Sequence, residues 1–204
     1  TGWADNHAED SIKEGSVDLS LTNGAVWNVI SKLTPAGGLS SERSVVDTLN
    51  LGGGTLNMSY ASRNGLNDWE DEGHRQQLVL SGSDKEQGLT GTGGTICMDI
   101  NLADEGSKNE GLHLDQIVVK GHTEGTHELS VNFVNGLGSV PVDKWHSENW
   151  LIEQASGSMT LTGPNGASTF SGRGMVSQWG VRFVSEGEES KLDNDRDSLH
   201  NTSD

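Results

Sequence analysis

The sequence predicts an all-β protein whose strands coil into a right-handed parallel β-helix, a solenoid of the single-stranded type with capping strands or a hairpin at its C-terminal end. The first observation is an internal repeat: Leu19–Val29 and Leu49–Met58 share one pattern at an offset of 30 residues, and Gly94–Leu102 repeats its second half. The second is period-2 alternation of apolar residues from Val17 onward, with almost no helical periodicity. Repeats of this length indicate stacked units that cannot bury an apolar face alone.

Each copy of the repeat reads as a short strand, a glycine turn and a second strand, with Gly24 aligned to Gly54. In the third copy, every second residue is apolar, and these residues are predicted to face the core. Cys97 and Asp99 lie between them and are predicted to face outward. The apolar parity comprises Ile96, Met98, Ile100 and Leu102. The predicted strands are bounded by Gly, Asn, Asp or Ser and comprise Val17–Leu21, Ala25–Ile30, Val45–Leu51, Thr55–Tyr60, Gln76–Ser81, Thr95–Leu102, Leu114–Lys120, His127–Phe133, Asn149–Gln154, Ser158–Thr162 and Gly180–Val184.

The composition fits a thin core that runs along a solenoid. Apolar residues make up 31% of the chain and aromatic residues 5%, which is low for a globular domain. Glycine occurs 28 times and proline 3 times, which favours many tight turns. The single cysteine excludes an internal disulfide and suits a protein exported unfolded through an oxidising compartment.

The charge argues against two classes of partner. The chain carries 30 acidic and 13 basic residues, a net charge of −17, which repels nucleic acid and anionic membranes. No apolar run approaches the ~18 residues of a membrane-spanning helix. The chain opens with Thr1-Gly2-Trp3, without an initiator methionine or a signal peptide, and we expect a mature form or an excised fragment.

We divide the chain into a polar N-terminal lead-in (1–14), parallel β-helix rungs (15–134), C-terminal capping rungs (135–184) and an acidic, disordered linker (185–204). Polar excursions at 61–75, 103–111 and 135–147 are expected to leave the stack as surface loops. Trp69 and Trp145 lie in two of these loops and are candidate contact residues for a binding partner. A tryptophan folded back onto a strand face is an equally good interpretation of either residue.

The segment Leu112–Phe133 carries a pattern that resembles a known protein family. Here an aspartate precedes an Ile-Val-Val strand, a Gly-x-x-x-Gly turn follows, and a histidine opens the next alternating strand. This pattern resembles the C-terminal passenger region of Gram-negative autotransporters of the pertactin-like class, and Gly94–Leu102 resembles the preceding strand. The chain departs from the family pattern at Asn101 and in the long excursion 103–111. The matching residues are Asp115, Ile117, Val118, Val119, Gly121, Gly125, His127, Leu129 and Val131.

The resemblance covers roughly residues 15–184. It implies a non-enzymatic β-helix that is exported through the periplasm and displayed on, or released from, the bacterial surface. The partner that it implies is the protein's own C-terminal outer-membrane β-barrel, outside this chain. It further implies an autochaperone role, in which the C-terminal rungs start passenger folding, and a role in adhesion and virulence through a host surface or self-association.

Two alternatives stay open: a carbohydrate-active β-helix enzyme and a stand-alone adhesin. Glycoside hydrolysis needs two carboxylates across a cleft, for which the candidates are Asp99, Asp104, Glu105 and Asp115. His122, Glu124 and His127 superficially suggest zinc, but a spacing of five residues across a turn does not match the helical two-histidine motif. We therefore predict no catalytic residue, cofactor or metal, and we interpret His127 as hydrogen-bonded to its turn.

Overall fold

The computed structural model describes residues 1–5, 16–30, 43–60, 76–82, 87–101, 113–134, 151–166, 169–173 and 178–182. These residues form short strands joined by turns, as the alternating pattern and the many glycines predict. The strands are β1 (Asp18–Ser20), β2 (Val26–Asn28), β3 (Ser44–Val46), β4 (Thr48–Asn50), β5 (Thr55–Asn57), β6 (Gln77–Leu80), β7 (Gln87–Thr90), β8 (Gly94–Asn101), β9 (His113–Leu114), β10 (Gln116–Thr123), β11 (Thr126–Val134), β12 (Ile152–Gly157), β13 (Thr160–Thr162), β14 (Thr169–Arg173) and β15 (Gln178–Arg182).

The strands stack as successive rungs, and the predicted parallel β-helix is confirmed. Strands β1, β3, β4, β6, β7, β10 and β12 form one sheet, and β2, β5, β8, β9, β11 and β13 form a second. Apart from the short β9, every strand of these two sheets pairs in parallel with its counterpart in a neighbouring rung. Parallel crossovers are right-handed in nearly all proteins, which is the predicted hand. We number the rungs one (β1–β2), two (β3–β5), three (β6–β8), four (β10–β11) and five (β12–β13).

The core lies between the two sheets and continues from rung to rung. Leu56, Ile96 and Leu129 occupy one register column of the second sheet, and all three are buried. The predicted core parity of β8 is confirmed for Ile96, Met98 and Ile100, whereas Leu102 lies outside the described residues. One apolar cluster draws on both sheets; its buried members are Leu21, Val29, Val46, Leu49, Leu51, Leu56, Met58, Leu78, Leu80, Leu89, Ile96, Met98, Ile117, Val119 and Leu129.

The repeat offset is 30 residues only before the glycine turn. Leu19 pairs with Leu49, but Trp27 pairs with Leu56, an offset of 29 residues. The alignment of Gly24 with Gly54 was therefore wrong: Gly24 donates its N–H to the Gly53 carbonyl at 3.0 Å, and both glycines have φ of 78°. The turn of rung two is one residue shorter than that of rung one, a difference that a fixed-offset alignment cannot detect.

Several strand boundaries also differ from the prediction. The single strand predicted at Val45–Leu51 is two strands, β3 and β4, because the chain turns a corner at Asp47. Strands β7 and β14 were not predicted, since their sequences (QGLT and TFSGR) show no clear alternation. Strands β14 and β15 form an antiparallel pair near the C-terminal end, which matches the predicted hairpin.

Candidate functional site

The residues that carry the family resemblance lie in rung four and are mostly interior. Ile117 and Val119 on β10 and Leu129 on β11 are buried in the core, and Val131 is half-buried against it. Gly121 sits where the register of β10 against β12 shifts. The motif therefore builds the interior and the corners of a rung, and it offers little side-chain surface to a ligand.

Strand β10 pairs with three other strands of its own sheet. It pairs with β6 through Gln116–Val119, with β7 through His122–Thr123, and with β12 on its other side. Strand β11 pairs with β8 over eight consecutive residues, His127–Val134 against Gly94–Asn101. Rungs three and four are consequently joined by the longest uninterrupted ladder among the described residues.

The turn between β10 and β11 requires a glycine at Gly125. This residue has φ of 98°, a conformation that costs an L-residue roughly 1–2 kcal/mol. A Cβ atom built there would overlap the carbonyl oxygen of Gly91 in the rung below. The resemblance placed a glycine at this position, and the close approach of two backbones supplies the physical reason.

His127 is the second residue of β11, at the start of the strand as predicted, and it is fully buried. Its Nε2 donates to the Glu124 carbonyl at 3.4 Å, so the prediction that it is hydrogen-bonded to the turn is confirmed. Nδ1 is then the unprotonated nitrogen, and it is buried without a partner. Burial lowers the pKa of His127 below its ordinary value, against a smaller opposing effect of the Glu124 hydrogen bond.

Asp115, the residue before β10, is buried and hydrogen-bonded to two backbone amides. Its Oδ2 accepts the N–H of Asp99 at 2.7 Å, and its Oδ1 accepts the N–H of Gln76 at 3.2 Å. Burial, and secondarily the charge of Asp99, raise the pKa of the Asp115 carboxyl well above its ordinary value, although the two backbone hydrogen bonds act in the opposite direction. Asp115 therefore fixes the corner where the chain passes from β9 into β10.

The prediction that Asp99 is exposed was wrong. Its side chain is 0% exposed, and its Oδ1 accepts a hydrogen bond from Asn132 Nδ2 at 2.7 Å. The apolar residues of β8 still face the core as predicted. Alternation shows which face of the sheet a side chain lies on, but it does not show whether that face is exposed to solvent. Cys97, also predicted to face outward, is half-buried.

The remaining candidate residues are not brought into a site. Asp104, Glu105, Trp69 and Trp145 lie outside the described residues. Within the described ranges, no group of three or more His, Cys, Asp or Glu side chains is placed to hold a metal ion. Two glycosidase candidates, Asp99 and Asp115, are enclosed in the solenoid, where a polysaccharide does not reach them.

Sequence reasoning missed a second structural carboxylate, Asp47, at the corner between β3 and β4. Its Oδ2 accepts the N–H of Val17 in rung one at 2.6 Å, and its Oδ1 accepts the hydroxyl of Ser81 in rung three at 3.3 Å. One side chain of rung two thus contacts the rungs on both sides. The available signal was an acidic residue inside an otherwise apolar strand pattern, Val45-Val46-Asp47.

The segment Thr1–Asp5, which belongs to the predicted polar lead-in, lies along β2 and β3. The Gly2 N–H donates to Asn28 at 3.0 Å, and the Val45 N–H donates to Ala4 at 2.9 Å. Two indoles reinforce these bonds: Trp27 Nε1 donates to the Gly2 carbonyl at 3.1 Å, and Trp3 Nε1 donates to Arg43 at 3.0 Å. The segment thereby covers strand edges that would otherwise expose backbone hydrogen-bonding groups.

A short polar ladder runs along the second sheet. Asn28, Asn57 and Cys97 share one register column. Asn57 Nδ2 donates to Asn28 Oδ1 at 2.8 Å, but Asn57 Oδ1, on the same amide, is buried without a partner. The amide ladder thus stops where Cys97 follows in the column.

Comparison with known proteins returned no match to a family model, a curated protein or a solved structure. Within the described residues, no helix is long and apolar enough to cross a membrane. The class of protein that the fold and the motif residues define is a parallel β-helix whose polar groups join successive rungs.

Proposed function

We propose that this chain is the C-terminal passenger region of a bacterial autotransporter: a non-enzymatic, surface-displayed β-helix that promotes folding and secretion of the passenger and supports adhesion. In this proposal it is exported through the periplasm and tethered by an outer-membrane β-barrel outside the chain. A host surface or a second passenger is the proposed adhesive partner.

The observation that carries the proposal is the ladder between β8 and β11. A solenoid folds by adding rungs to a formed neighbour, because its stability is a sum of rung and nearest-neighbour terms. The segment that resembles the family supplies both the eight-residue ladder and the most extensively paired strand, β10. A rung with these properties is a suitable template for the rungs that follow it out of the membrane.

The enzyme alternative loses support at the two described carboxylates. Asp99 and Asp115 are both 0% exposed and are engaged by amide donors. Catalytic carboxylates of glycosidases must contact a sugar in a cleft. The observations therefore favour a scaffold over a hydrolase.

The test compares two equivalent core truncations. Leu129→Ala lies in rung four and Leu49→Ala in rung two, and both leucines are buried. Each variant is expected to lose about 2–5 kcal/mol of stability. In the purified chain, Leu129→Ala should slow refolding, whereas Leu49→Ala should mainly accelerate unfolding.

The second readout is secretion. The chain is placed between a signal peptide and an outer-membrane barrel, and the amount of folded passenger at the cell surface is measured by protease resistance. Leu129→Ala should reduce the surface yield more than Leu49→Ala at equal loss of stability. Equal yields, together with equal refolding rates, would refute the proposal.

A further inference from the structure

The dipeptide Asn-Gly occurs four times in the chain, at 23–24, 64–65, 135–136 and 165–166. Asn-Gly is the dipeptide most prone to deamidation, because glycine leaves its backbone nitrogen sterically free to attack the asparagine side chain. The structure describes the first and the last of the four. Asn23 and Asn165 are both exposed, so water and base reach them. Burial therefore does not protect either side chain from this reaction.

The backbone conformation of both asparagines opposes the reaction. Asn165 has φ of 60° and ψ of 30°. Asn23 and Gly24 have φ of 53° and 78° and are the central residues of a type I′ turn. The Ala25 N–H closes this turn by donating to the Thr22 carbonyl at 2.9 Å. In a type I′ turn the first central residue has ψ of about +30°, which places the next nitrogen nearly opposite the Cβ atom across the Cα–C bond. The glycine nitrogen then cannot reach the side-chain carbonyl carbon to close a five-membered ring.

The turn at Asn23 is also held by the neighbouring rung. The Gly24 N–H donates to the Gly53 carbonyl at 3.0 Å, so the attacking nitrogen is itself hydrogen-bonded to rung two. A side-chain bond joins the same two rungs, since Thr48 Oγ1 donates to Asp18 Oδ1 at 2.7 Å. Rung one must leave rung two before the Gly24 nitrogen is released from this bond.

We propose that Asn23 is a deamidation site that is closed while rung one is packed on rung two and opens when rung one detaches. In the reaction the Gly24 nitrogen forms a bond to Asn23 Cγ, and the bond from Cγ to Nδ2 breaks. Ammonia leaves, taking up the proton that the Gly24 nitrogen loses. Water then opens the resulting succinimide at either carbonyl and gives an aspartate or an isoaspartate at position 23. Water is the one co-reactant, and no oxidant or reductant takes part.

The isoaspartate product makes the opening of rung one permanent. It adds one carbon to the backbone inside the turn, two residues before β2 begins. Strand β2 pairs with β5 residue by residue, from Val26 against Thr55 to Asn28 against Asn57. The added carbon shifts β2 relative to this register. A rung one that has reacted in this way no longer packs on rung two in its original register.

The test measures deamidation of Asn23 and Asn165 in the full chain by peptide mapping and mass spectrometry. The folded chain and the chain unfolded in guanidinium chloride are incubated at the same mildly alkaline pH. A hydrogen bond changes an opening equilibrium by a factor of roughly 2–10. Two such bonds hold the turn and its rung, so Asn23 should react about tenfold or more slowly in the folded chain than in the unfolded chain.

Two variants separate the opening of rung one from general unfolding. Thr48→Val removes the hydroxyl that donates to Asp18 and should raise the folded-state rate at Asn23 by a factor of roughly 2–10. The rate at Asn165 should stay unchanged, because a solenoid rung depends mainly on its nearest neighbours. Thr162→Val is the matched control: it removes a hydroxyl that joins rung five to the His127 carbonyl, and it should leave the Asn23 rate unchanged.

Amide exchange tests the consequence in chains that carry isoaspartate at position 23. The Val29 N–H, which donates to Asn57 at 3.0 Å, should lose its protection, whereas the Thr160 N–H, which donates to Gly125 at 2.8 Å, should keep it. Full protection of the Val29 N–H in the modified chain would contradict the permanent opening. The proposal is overturned by an Asn23 rate that is equal in the folded and unfolded chain, that is unchanged in Thr48→Val, or that rises there together with the Asn165 rate.

Discussion

Three glycine-to-alanine substitutions separate the two reasons why this solenoid needs glycine at its corners. Gly53 has φ of 78° and nothing within 4 Å of a built Cβ, so alanine there meets only backbone strain. Gly54 has no such φ, but its Cβ would lie 2.5 Å from the Leu21 carbonyl oxygen, so alanine there meets only a steric overlap. Gly125 combines both, with φ of 98° and an overlap with the Gly91 carbonyl oxygen.

The magnitudes follow from these geometries. Strain in the left-handed region costs roughly 1–2 kcal/mol, and forcing atoms into a packed site costs roughly 1–3 kcal/mol. Gly53→Ala should therefore cost about 1–2 kcal/mol, Gly54→Ala about 1–3 kcal/mol and Gly125→Ala about 2–5 kcal/mol. The largest of these remains below the total stability of most domains of this size, so the variant should still be measurable.

The assay is urea unfolding at fixed pH, followed by tryptophan fluorescence. The free energy of unfolding is extrapolated to water for each variant and compared at equal slope. The decisive quantity is the difference in the free energy of unfolding between Gly125→Ala and Gly53→Ala. Both variants strain the backbone, so the difference reports the steric overlap at Gly125 alone. If Gly125→Ala costs no more than Gly53→Ala, the close approach of the backbone to Gly91 is not a constraint, and the explanation for the motif glycine is wrong.

Three further predictions concern single polar groups. Cys97→Asn should extend the amide ladder to the unpaired Asn57 Oδ1 and raise the free energy of unfolding by about 1 kcal/mol; a lower melting temperature would contradict this. His127 has a lowered pKa, so the stability it supports is present above its unfolded pKa of about 6.5 and is lost as the pH falls through the folded value. His127→Gln should remove this loss of stability below about pH 6.5, measured by urea unfolding in parallel with the unmodified chain; an unchanged dependence on pH would contradict it. Trp3→Phe deletes the indole bond to Arg43 and should cost about 1 kcal/mol, with faster exchange of the Val45 amide as the local readout and an unchanged rate as the contrary result.

The core of the fold could be predicted because it depends on local alternation. Ile96, Met98 and Ile100 face inward as their spacing indicates, and the glycine turns mark where strands end. The one-residue difference between the turns of rungs one and two could not be predicted, because Gly52-Gly53-Gly54 offers three equivalent candidates for the left-handed position. The structure distinguishes them, since Gly53 alone of the three has a positive φ and accepts the N–H of Gly24.

The positions of the motif residues in rung four could be predicted from the sequence, but the burial of Asp99 could not. The motif located Asp115, Gly125 and His127 correctly at the corners of rung four. The pattern placed Asp99 on the outer parity, and solvent exposure was inferred from that parity alone. The cover over Asp99 depends on contacts with Asp115 and Asn132, which are 16 and 33 residues away along the chain. Contacts at such separations leave no periodic signal in a single sequence.

The Asp47 carboxylate changes how this solenoid should respond to mechanical force. In a stack where each rung contacts only its neighbours, a pulling force detaches one rung at a time. Asp47 binds Val17 and Ser81 together, so rung one cannot detach without disturbing a group that also anchors rung three. Detachment of rung one should therefore need more force than the loss of its apolar contacts alone, because it also breaks a hydrogen bond to this carboxylate.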